Sequence, residues 1–422
     1  MVVFVSFILG LTVGLRPVQV AVDTTVAAVE IRLDGEPAGT IAGPPWYLAV
    51  QFGQRLEPRL LEAIAFDAAG KELDRARLVV NYGLMNYQAV LVLDAVRDGG
   101  PRPGRVVWDA ILDRRPRRIR LTFDGRPVAV DDRGRFALPT YDPEEIHFLV
   151  ADLSFPKGES VRAELDFGGA AGDRVTSALT ALPVLVPAAA ELPPPAAMRG
   201  WFLADGETLR PFSAPASDLH LIVVRDAALA DEAEEIAREL ERQGRLPPEP
   251  RLGGDSLRFV STLRPADGAF RAEQPRRSKT RSGIWELIAR YRPDEAGGGR
   301  RETWTTLAAA GRFAADGDRR RAVVFLLGGR APDRSSLTAV QAVGYLRSVR
   351  VPHFVWAPSA AELTSVAAAG ANTYAGSDGL AALFADLAES LRGQRMVWLE
   401  GLHFPARVSL TDEAPEGFRL AE

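Results

Sequence analysis

Two stretches decide the architecture: Asp218–Asp231, DLHLIVVRDAALAD, and Ala322–Gly329, AVVFLLGG. Each is an apolar run rich in β-branched residues that breaks into a loop and then into a helical pattern. A strand covered on both faces reads as a continuous apolar run. Such runs alternating with helices predict a largely parallel, doubly wound α/β sheet. In these sheets ligands bind outside the carboxyl ends of the strands, here the loops after Arg225 and Leu327.

Working outward, the same alternation fills residues 199–401. It predicts strands at Leu219–Val224, Ser256–Thr262, Ala322–Leu327, Pro352–Trp356 and Arg395–Glu400. Leu229, Ala233, Ile236, Ala237 and Leu240 share one helical face. Acidic residues open that helix, Arg238 and Arg242 close it, and Gly244 stops it, as the helix dipole favours. Further helices are expected around Ile284–Tyr291 and Trp304–Gly311, at the capping box Ser359-x-x-Glu362, and along Leu380, Leu383, Phe384, Leu387 and Leu391 behind a capping Ser377.

The first half of the chain has a different period. Val29, Ile31 and Leu33 alternate with Glu30 and Arg32, and Asp34-Gly35 is a strong hairpin signal. Ile119–Val128, IRLTFDGRPV, repeats Ile31–Ala38, IRLDGEPA, and Phe148–Phe167 repeats the order of Leu61–Val79. This is an internal duplication of one β-sandwich unit. The expected division is a signal peptide or anchor at 1–21, immunoglobulin-like sandwiches at 22–83 and 84–187, a Pro/Ala linker at 188–198, the α/β domain at 199–401, and a tail at 402–422 closing as a strand pair.

Composition removes several functions. The 422 residues contain no cysteine, which excludes disulfide frameworks, thiolate metal sites and cysteine nucleophiles. A formal net charge of -4 gives no electrostatic case for nucleic acid. The four histidines are scattered, and His220 and His353 lie inside apolar strands, where a satisfied structural role is expected. Ser213, Ser217 and Ser261 lack the Gly-x-Ser-x-Gly context of a nucleophile elbow. Gly328-Gly329-Arg330 lacks the Gly-Lys-Ser/Thr ending of a phosphate loop. Asp316-Gly-Asp318 reads as a turn, Arg114–Arg120 and Arg319–Arg321 as solvated basic faces, and Trp46-Tyr47 as sandwich core. The opening run MVVFVSFILGLTVGL has the length of a secretory h-region rather than of a membrane span. It predicts export to the periplasm, the cell envelope or the exterior, with no later membrane segment.

The third block resembles a von Willebrand factor type A domain. AVVFLLGG stands where that family writes an apolar run ending Thr-Asp-Gly, and VPHFVW follows as the next strand. GANTYAGSDGLAALFADLAESLRGQRMVWLEG is similar to the end of bacterial exported VWFA-related proteins, which also carry immunoglobulin-like units before the A domain. The resemblance implies a metal site built from an Asp-x-Ser-x-Ser loop, a threonine and a second aspartate, which together hold Mg²⁺ near-octahedrally. Here Asp226 matches the first aspartate, Ala228 and Ala230 replace the serines, Thr303 matches the threonine, and Gly328 replaces the second aspartate. Alanine and glycine offer no side-chain oxygen, so the expectation is a degenerate site with no metal or other cofactor, Asp226 and Thr303 being vestigial. The function expected is non-catalytic, metal-independent docking of a protein partner through Arg225, Asp226, Thr303, Gly328 and Arg330. The alternatives are a metal-dependent A domain that uses other ligands such as Asp333, a structural spacer, and an enzyme with an inter-domain cleft.

Overall fold

The computed structural model describes the chain except for residues 1, 6–10, 23–24, 83–86, 94–101, 111–114, 143–146, 156–159, 168–178, 189, 215–216, 251–256, 265–271, 274–282, 294–298, 316–318, 330 and 402. Two compact units divide it close to residue 177.

The first unit contains the duplication in full. Its first copy has seven strands: Val2–Phe4, Leu15–Val22, Ala28–Leu33, Glu36–Ile41, Tyr47–Gln51, Arg59–Phe66 and Glu72–Val80. The first, second and fifth form one antiparallel sheet, and the fourth, third, sixth and seventh the other. The second copy runs Tyr87–Leu93, Pro103–Ala110, Arg118–Phe123, Arg126–Val128, Arg135–Ala137, His147–Ser154 and Ser160–Phe167, with the same two sheet orders. Inward residues of each copy build its own core, with Val18, Val29, Ile31 and Leu61 in the first and Leu121, Leu149, Ala151 and Leu153 in the second.

Each repeat turns on an Asp-Gly pair in the left-handed region, with φ 54° and 85° at Asp34-Gly35 and 47° and 76° at Asp124-Gly125. Two successive positive φ values match the right-handed twist of a hairpin, which is why glycine takes the second place. The aspartates do more than turn. Asp34 Oδ1 accepts the Leu60 N–H at 2.8 Å, and Oδ2 accepts from Arg59 Nη1 at 2.7 Å. Asp124 Oδ1 likewise accepts the Phe148 N–H at 2.8 Å, with His147 Nδ1 2.7 Å from Oδ2. One carboxylate thus ties the hairpin to the sixth strand in both copies.

This register corrects the reading of residues 1–21 as a segment apart. Val2–Phe4 pairs with Val20–Val22, and Val2, Phe4, Val18 and Val20 are core residues. Val2–Phe4 stands where Tyr87–Leu93 stands in the second copy, so burial in the sandwich accounts for its apolar character. Trp46 packs partly buried on this core as expected, whereas Tyr47 points outward and is 57% exposed.

The second unit holds a third sandwich, which the sequence reading did not resolve. Leu179–Leu185, assigned to the second copy, pairs along its length with Gln394–Glu400 in the sheet Pro211–Ser213, Gln394–Glu400, Leu179–Leu185, Arg419–Leu420. The facing sheet is Glu207–Leu209, Phe202–Ala204, Val408–Leu410, turned by a further left-handed pair, Asp205-Gly206. Leu182, Val184, Met198, Trp201, Phe202, Val397, Leu399 and Val408 fill the space between. Three expectations change. Gln394–Glu400 belongs to this sandwich and not to the parallel sheet. The supposed linker contributes fully buried Met198 from a 3-10 turn, Pro195–Met198. The tail strands Val408–Leu410 and Arg419–Leu420 each pair with an earlier strand and not with one another.

The α/β domain is therefore an insertion between Pro211–Ser213 and Gln394–Glu400. The five strands of its main sheet are all parallel, in the order Leu257–Ser261, Leu219–Arg225, Arg320–Leu326, His353–Ala357, Asn372–Ala375, and Leu263–Arg264 pairs antiparallel with Arg300–Arg301 in a separate two-stranded sheet. Asn372–Ala375 is an edge strand that the apolar-run criterion passed over, being only partly buried. Helices Glu232–Arg242, Ile284–Arg290 and Gly376–Gly393 cover one face around Leu221, Val223, Phe259, Val324, Trp356 and Phe384. Helices Thr303–Ala315 and Ala339–Ser348 pack together on the other. The latter opens on a Thr338/Gln341 capping box that was not recognised in the sequence.

One arginine of the run Arg319–Arg321 is not a solvated face. Arg321 is fully buried, and its guanidinium donates to Ala315 O at 2.9 Å, Val349 O at 3.3 Å and Arg350 O at 3.4 Å. It satisfies orphan carbonyls where two helices end. Substituting Asp34→Ala or Asp124→Ala is expected to lower unfolding stability by about 1–3 kcal/mol each, since it orphans hydrogen bonds and strains a left-handed residue. Asn at either site should cost less, and urea titration of the whole chain checks the order.

Candidate functional site

The strand ends of the α/β domain bring together Arg225, Asp226, Thr303 and Gly328. Arg330 lies outside the described residues. None of the four presents a free surface group to a partner.

Arg225 ends strand Leu219–Arg225 and is 4% exposed. Its Nη1 donates to Ala289 O at 2.7 Å and its Nη2 to Ala230 O at 2.6 Å, so it holds the last turn of helix Ile284–Arg290 against the loop after its own strand. This arginine is a clamp and not a docking group.

Asp226 is completely buried. Oδ1 accepts from Arg301 Nε at 2.8 Å, Thr262 Oγ1 at 3.0 Å and the Ala228 N–H at 3.2 Å. Oδ2 accepts from Arg301 Nη2 at 2.5 Å and the Gly328 N–H at 3.0 Å. The Arg301 pair is bidentate, the strongest common carboxylate geometry. Burial alone would push this carboxyl up. The hydrogen bonds and charge of Arg301, with the Ala228 and Gly328 amides, outweigh burial and hold it below the usual carboxylate range. The third arginine nitrogen, Nη1, donates to Ala331 O, and the Arg301 carbonyl accepts from Arg334 N at 2.8 Å.

Thr303 is buried at the first turn of helix Thr303–Ala315. Its N–H donates to Asp333 Oδ1 at 2.9 Å, and Ser335 Oγ accepts from Trp304 N at 2.8 Å. The helix is thus capped by a loop distant in sequence. Asp333, the alternative metal ligand, also accepts from Ser335 N and Oγ. The Thr303 hydroxyl has no hydrogen-bond partner among the described residues.

Gly328, expected among the docking residues, leaves no room for a partner. The protein's own chain packs against it: a Cβ there would overlap the Leu229 nitrogen and the Ala228 carbonyl carbon. Glycine is needed so that the loop after Asp226 can close over it.

The residues do not fit the divalent ion that the resemblance implies. Ala228, Ala230 and Gly328 bring no side-chain oxygen, and both Asp226 oxygens are engaged by internal donors. Sequence reasoning missed Arg301 and Thr262. A usable signal existed: once the neighbouring oxygens are lost, a retained Asp226 at an apolar strand end requires a counter-charge, and Arg300-Arg301 stands just before Thr303.

His220 also departs from expectation. It is 6% exposed, yet neither ring nitrogen has a partner among the described residues. Burial first, then the charges of Arg258, Arg319 and Arg321, push its pKa down to about 4.

No protein-family model matches the chain, and no curated protein matches it. Solved structures do. The chain is similar to the fibronectin(III)-like modules of Clostridium thermocellum CbhA at 12% identity, over 40% of this chain and 94% of that one, with a TM-score of 0.17. It is similar to proximal thread matrix protein 1 from the mussel byssus, with a zinc-occupied MIDAS motif, at 15% identity, over 43% of this chain and 49% of that one, with a TM-score of 0.28.

Gly328→Ala is expected to destabilise the α/β domain by roughly 1–3 kcal/mol, the usual cost of overpacking, measurable as a lowered urea midpoint. The depressed His220 value carries its own test. Below its unfolded value of 6.5 the unfolded chain binds a proton that the folded chain refuses until about pH 4. Stability therefore falls as pH drops through that window, by roughly 3 kcal/mol from this group. His220→Gln should flatten that part of the pH profile of the urea midpoint.

Proposed function

We propose that this chain is a non-catalytic protein-interaction protein, in which repeated immunoglobulin-like sandwiches precede a von Willebrand A-type domain that works without metal. One observation carries the reading. The crevice where this sheet architecture takes ligands is filled by the chain's own Asp226–Arg301 pair and closed at Gly328.

With the crevice filled, the first sandwich offers the better docking surface. Along Leu15–Val22 and Tyr47–Gln51, Val18, Val20 and Val50 point inward. The outward row of these paired strands is Leu15, Pro17 and Gln19 beside Tyr47, Ala49 and Gln51, and the single charged residue of the two strands, Arg16, is exposed near one end. Leu15 is 62% exposed and Tyr47 57%. The opposite sheet of this sandwich instead carries an ion-paired ladder in which Arg32, Glu62 and Arg77 are cross-strand neighbours, with Arg77 Nε 3.0 Å from Glu62 Oε1. Depletion of charge together with an exposed tyrosine marks the interior of protein interfaces.

Affinity capture from the source organism with the immobilised full chain tests the reading. Retention of a partner should survive chelation by EDTA, persist in Asp226→Asn, and fall at least tenfold in the Leu15→Glu/Tyr47→Glu double variant. Retention abolished by EDTA would favour the metal-dependent alternative, and no retention at all would favour a spacer.

A further inference from the structure

We infer that His147 is a pH-operated latch in the second sandwich: its doubly protonated ring ties the Asp124 hairpin to the loop at Asp142, and loss of one ring proton releases that loop. The inference is independent of the interaction reading above.

The two copies differ at one equivalent position, the first residue of the sixth strand. In the first copy it is Arg59, whose Nη1 donates to Asp34 Oδ2 at 2.7 Å, while the Leu60 N–H donates to Oδ1 at 2.8 Å. In the second it is His147, whose Nδ1 lies 2.7 Å from Asp124 Oδ2, while the Phe148 N–H donates to Oδ1 at 2.8 Å. An arginine in a protein is always charged. A histidine is the one side chain that titrates near neutrality unaided. The duplication therefore holds the same joint twice, with a fixed cation in one copy and a titratable one in the other.

The second ring nitrogen gives the titration its consequence. Nε2 lies 2.7 Å from the Asp142 carbonyl oxygen. A carboxylate and a carbonyl only accept, so both bonds require a proton on each ring nitrogen. A neutral ring has one N–H. The carboxylate is the stronger acceptor and keeps it, which leaves a bare Nε2 facing the carbonyl, lone pair against lone pair. The residue is 6% exposed, so water does little to relieve that contact. Tyr141, next to Asp142, meets the His147 ring edge-on at 4.9 Å and Phe123 at 5.7 Å, so a shift of the Asp142 carbonyl disturbs core packing as well. Arg102 Nη1 donates to the Tyr141 hydroxyl at 3.1 Å. Burial pushes the Asp124 carboxyl up, but the Phe148 amide, His147 and Arg126 hold it below the usual carboxylate range. The joint is complete between the titration of this carboxylate in acid and of the ring in base. Folding keeps on the ring a proton that an unfolded chain releases near pH 6.5. The contribution of the second bond is therefore full below that pH and is lost as pH rises through the folded ring's own titration.

The test uses the full chain. Nitrogen NMR of ¹⁵N-histidine-labelled protein follows the four imidazoles, with His147→Gln to assign one of them. At about pH 7.5 an unperturbed imidazole is roughly nine-tenths neutral. His147 should still carry protons on both nitrogens there and lose one as pH rises further. Hydrogen exchange read by mass spectrometry, corrected for the intrinsic effect of pH, reports on the loop. Fragments containing Tyr141 and Asp142 should exchange at least fivefold faster once the ring is neutral, while fragments containing Arg59 and Leu60 stay unchanged. Asp124→Asn separates a latch from simple packing. Its amide donates to Nδ1, the neutral ring turns its single N–H to Asp142, and the loop should stay closed at every pH, while the ring sheds its second proton at least tenfold more readily. The wild-type measurements decide by themselves if that variant does not fold. A His147 ring already neutral at about pH 7.5 overturns the proposal. So does loop exchange indifferent to the ring's proton, or an Asp124→Asn loop that opens with rising pH as wild type does. The His220 effect runs in the opposite sense and lies in the α/β domain, so it does not enter this local readout.

Discussion

A carboxylate buried to zero exposure at the end of an apolar strand can exist only if something meets its charge, because an unpaired ion in that environment costs several kcal/mol. Asp226 is that carboxylate, and the carboxyl end of the parallel sheet is organised around it. Arg301 supplies the counter-charge, Thr262 and two backbone amides supply the remaining hydrogen bonds, and Gly328 permits the close approach that brings one of those amides into reach. In return the pair ties the loop after Arg225 to Arg301, whose Nη1 also reaches the Ala331 carbonyl. The carboxylate and its counter-charge form an internal joint at the strand ends.

Arginine performs the same service elsewhere in this domain. Arg225 closes the carbonyl end of helix Ile284–Arg290, Arg321 closes two helix ends at the amino end of the central strand, and Arg320 donates to Leu391 O near the end of helix Gly376–Gly393. Several nitrogens in one rigid plane suit it to bridging carbonyls, and each such contact places a cation at the negative end of a helix dipole. Within the run Arg319–Arg321, which the sequence presents as a solvated face, Arg320 and Arg321 are structural.

In the sandwiches the organising device is a carboxylate again. The Asp-Gly pairs at Asp34 and Asp124 combine a left-handed turn with a side-chain bridge to the sixth strand and a neighbouring cationic or ionisable group. Asp205-Gly206 repeats the turn in the third sandwich. That sandwich is discontinuous, since the whole parallel sheet with its helices lies between two of its strands. The α/β domain therefore enters and leaves through adjacent strands of one sheet, both anchored in a common β core.

The sequence by itself determined the local periodicities: the parallel-strand runs, the amphipathic helices, the Asp-Gly turns, the duplication and the loss of side-chain oxygens at Ala228, Ala230 and Gly328. These are readable because burial and turn geometry act on neighbouring residues and leave a pattern of fixed period. Only the tertiary structure decided that Val2–Phe4 is a core strand, that Leu179–Leu185 pairs with Gln394–Glu400, and that Arg301 answers Asp226. Those partners lie tens to hundreds of residues apart, and hydrophobic pattern specifies that a strand or a charge must be covered without specifying by what. The covering group is set by which segments the fold brings within hydrogen-bonding distance, and no period along the chain encodes that.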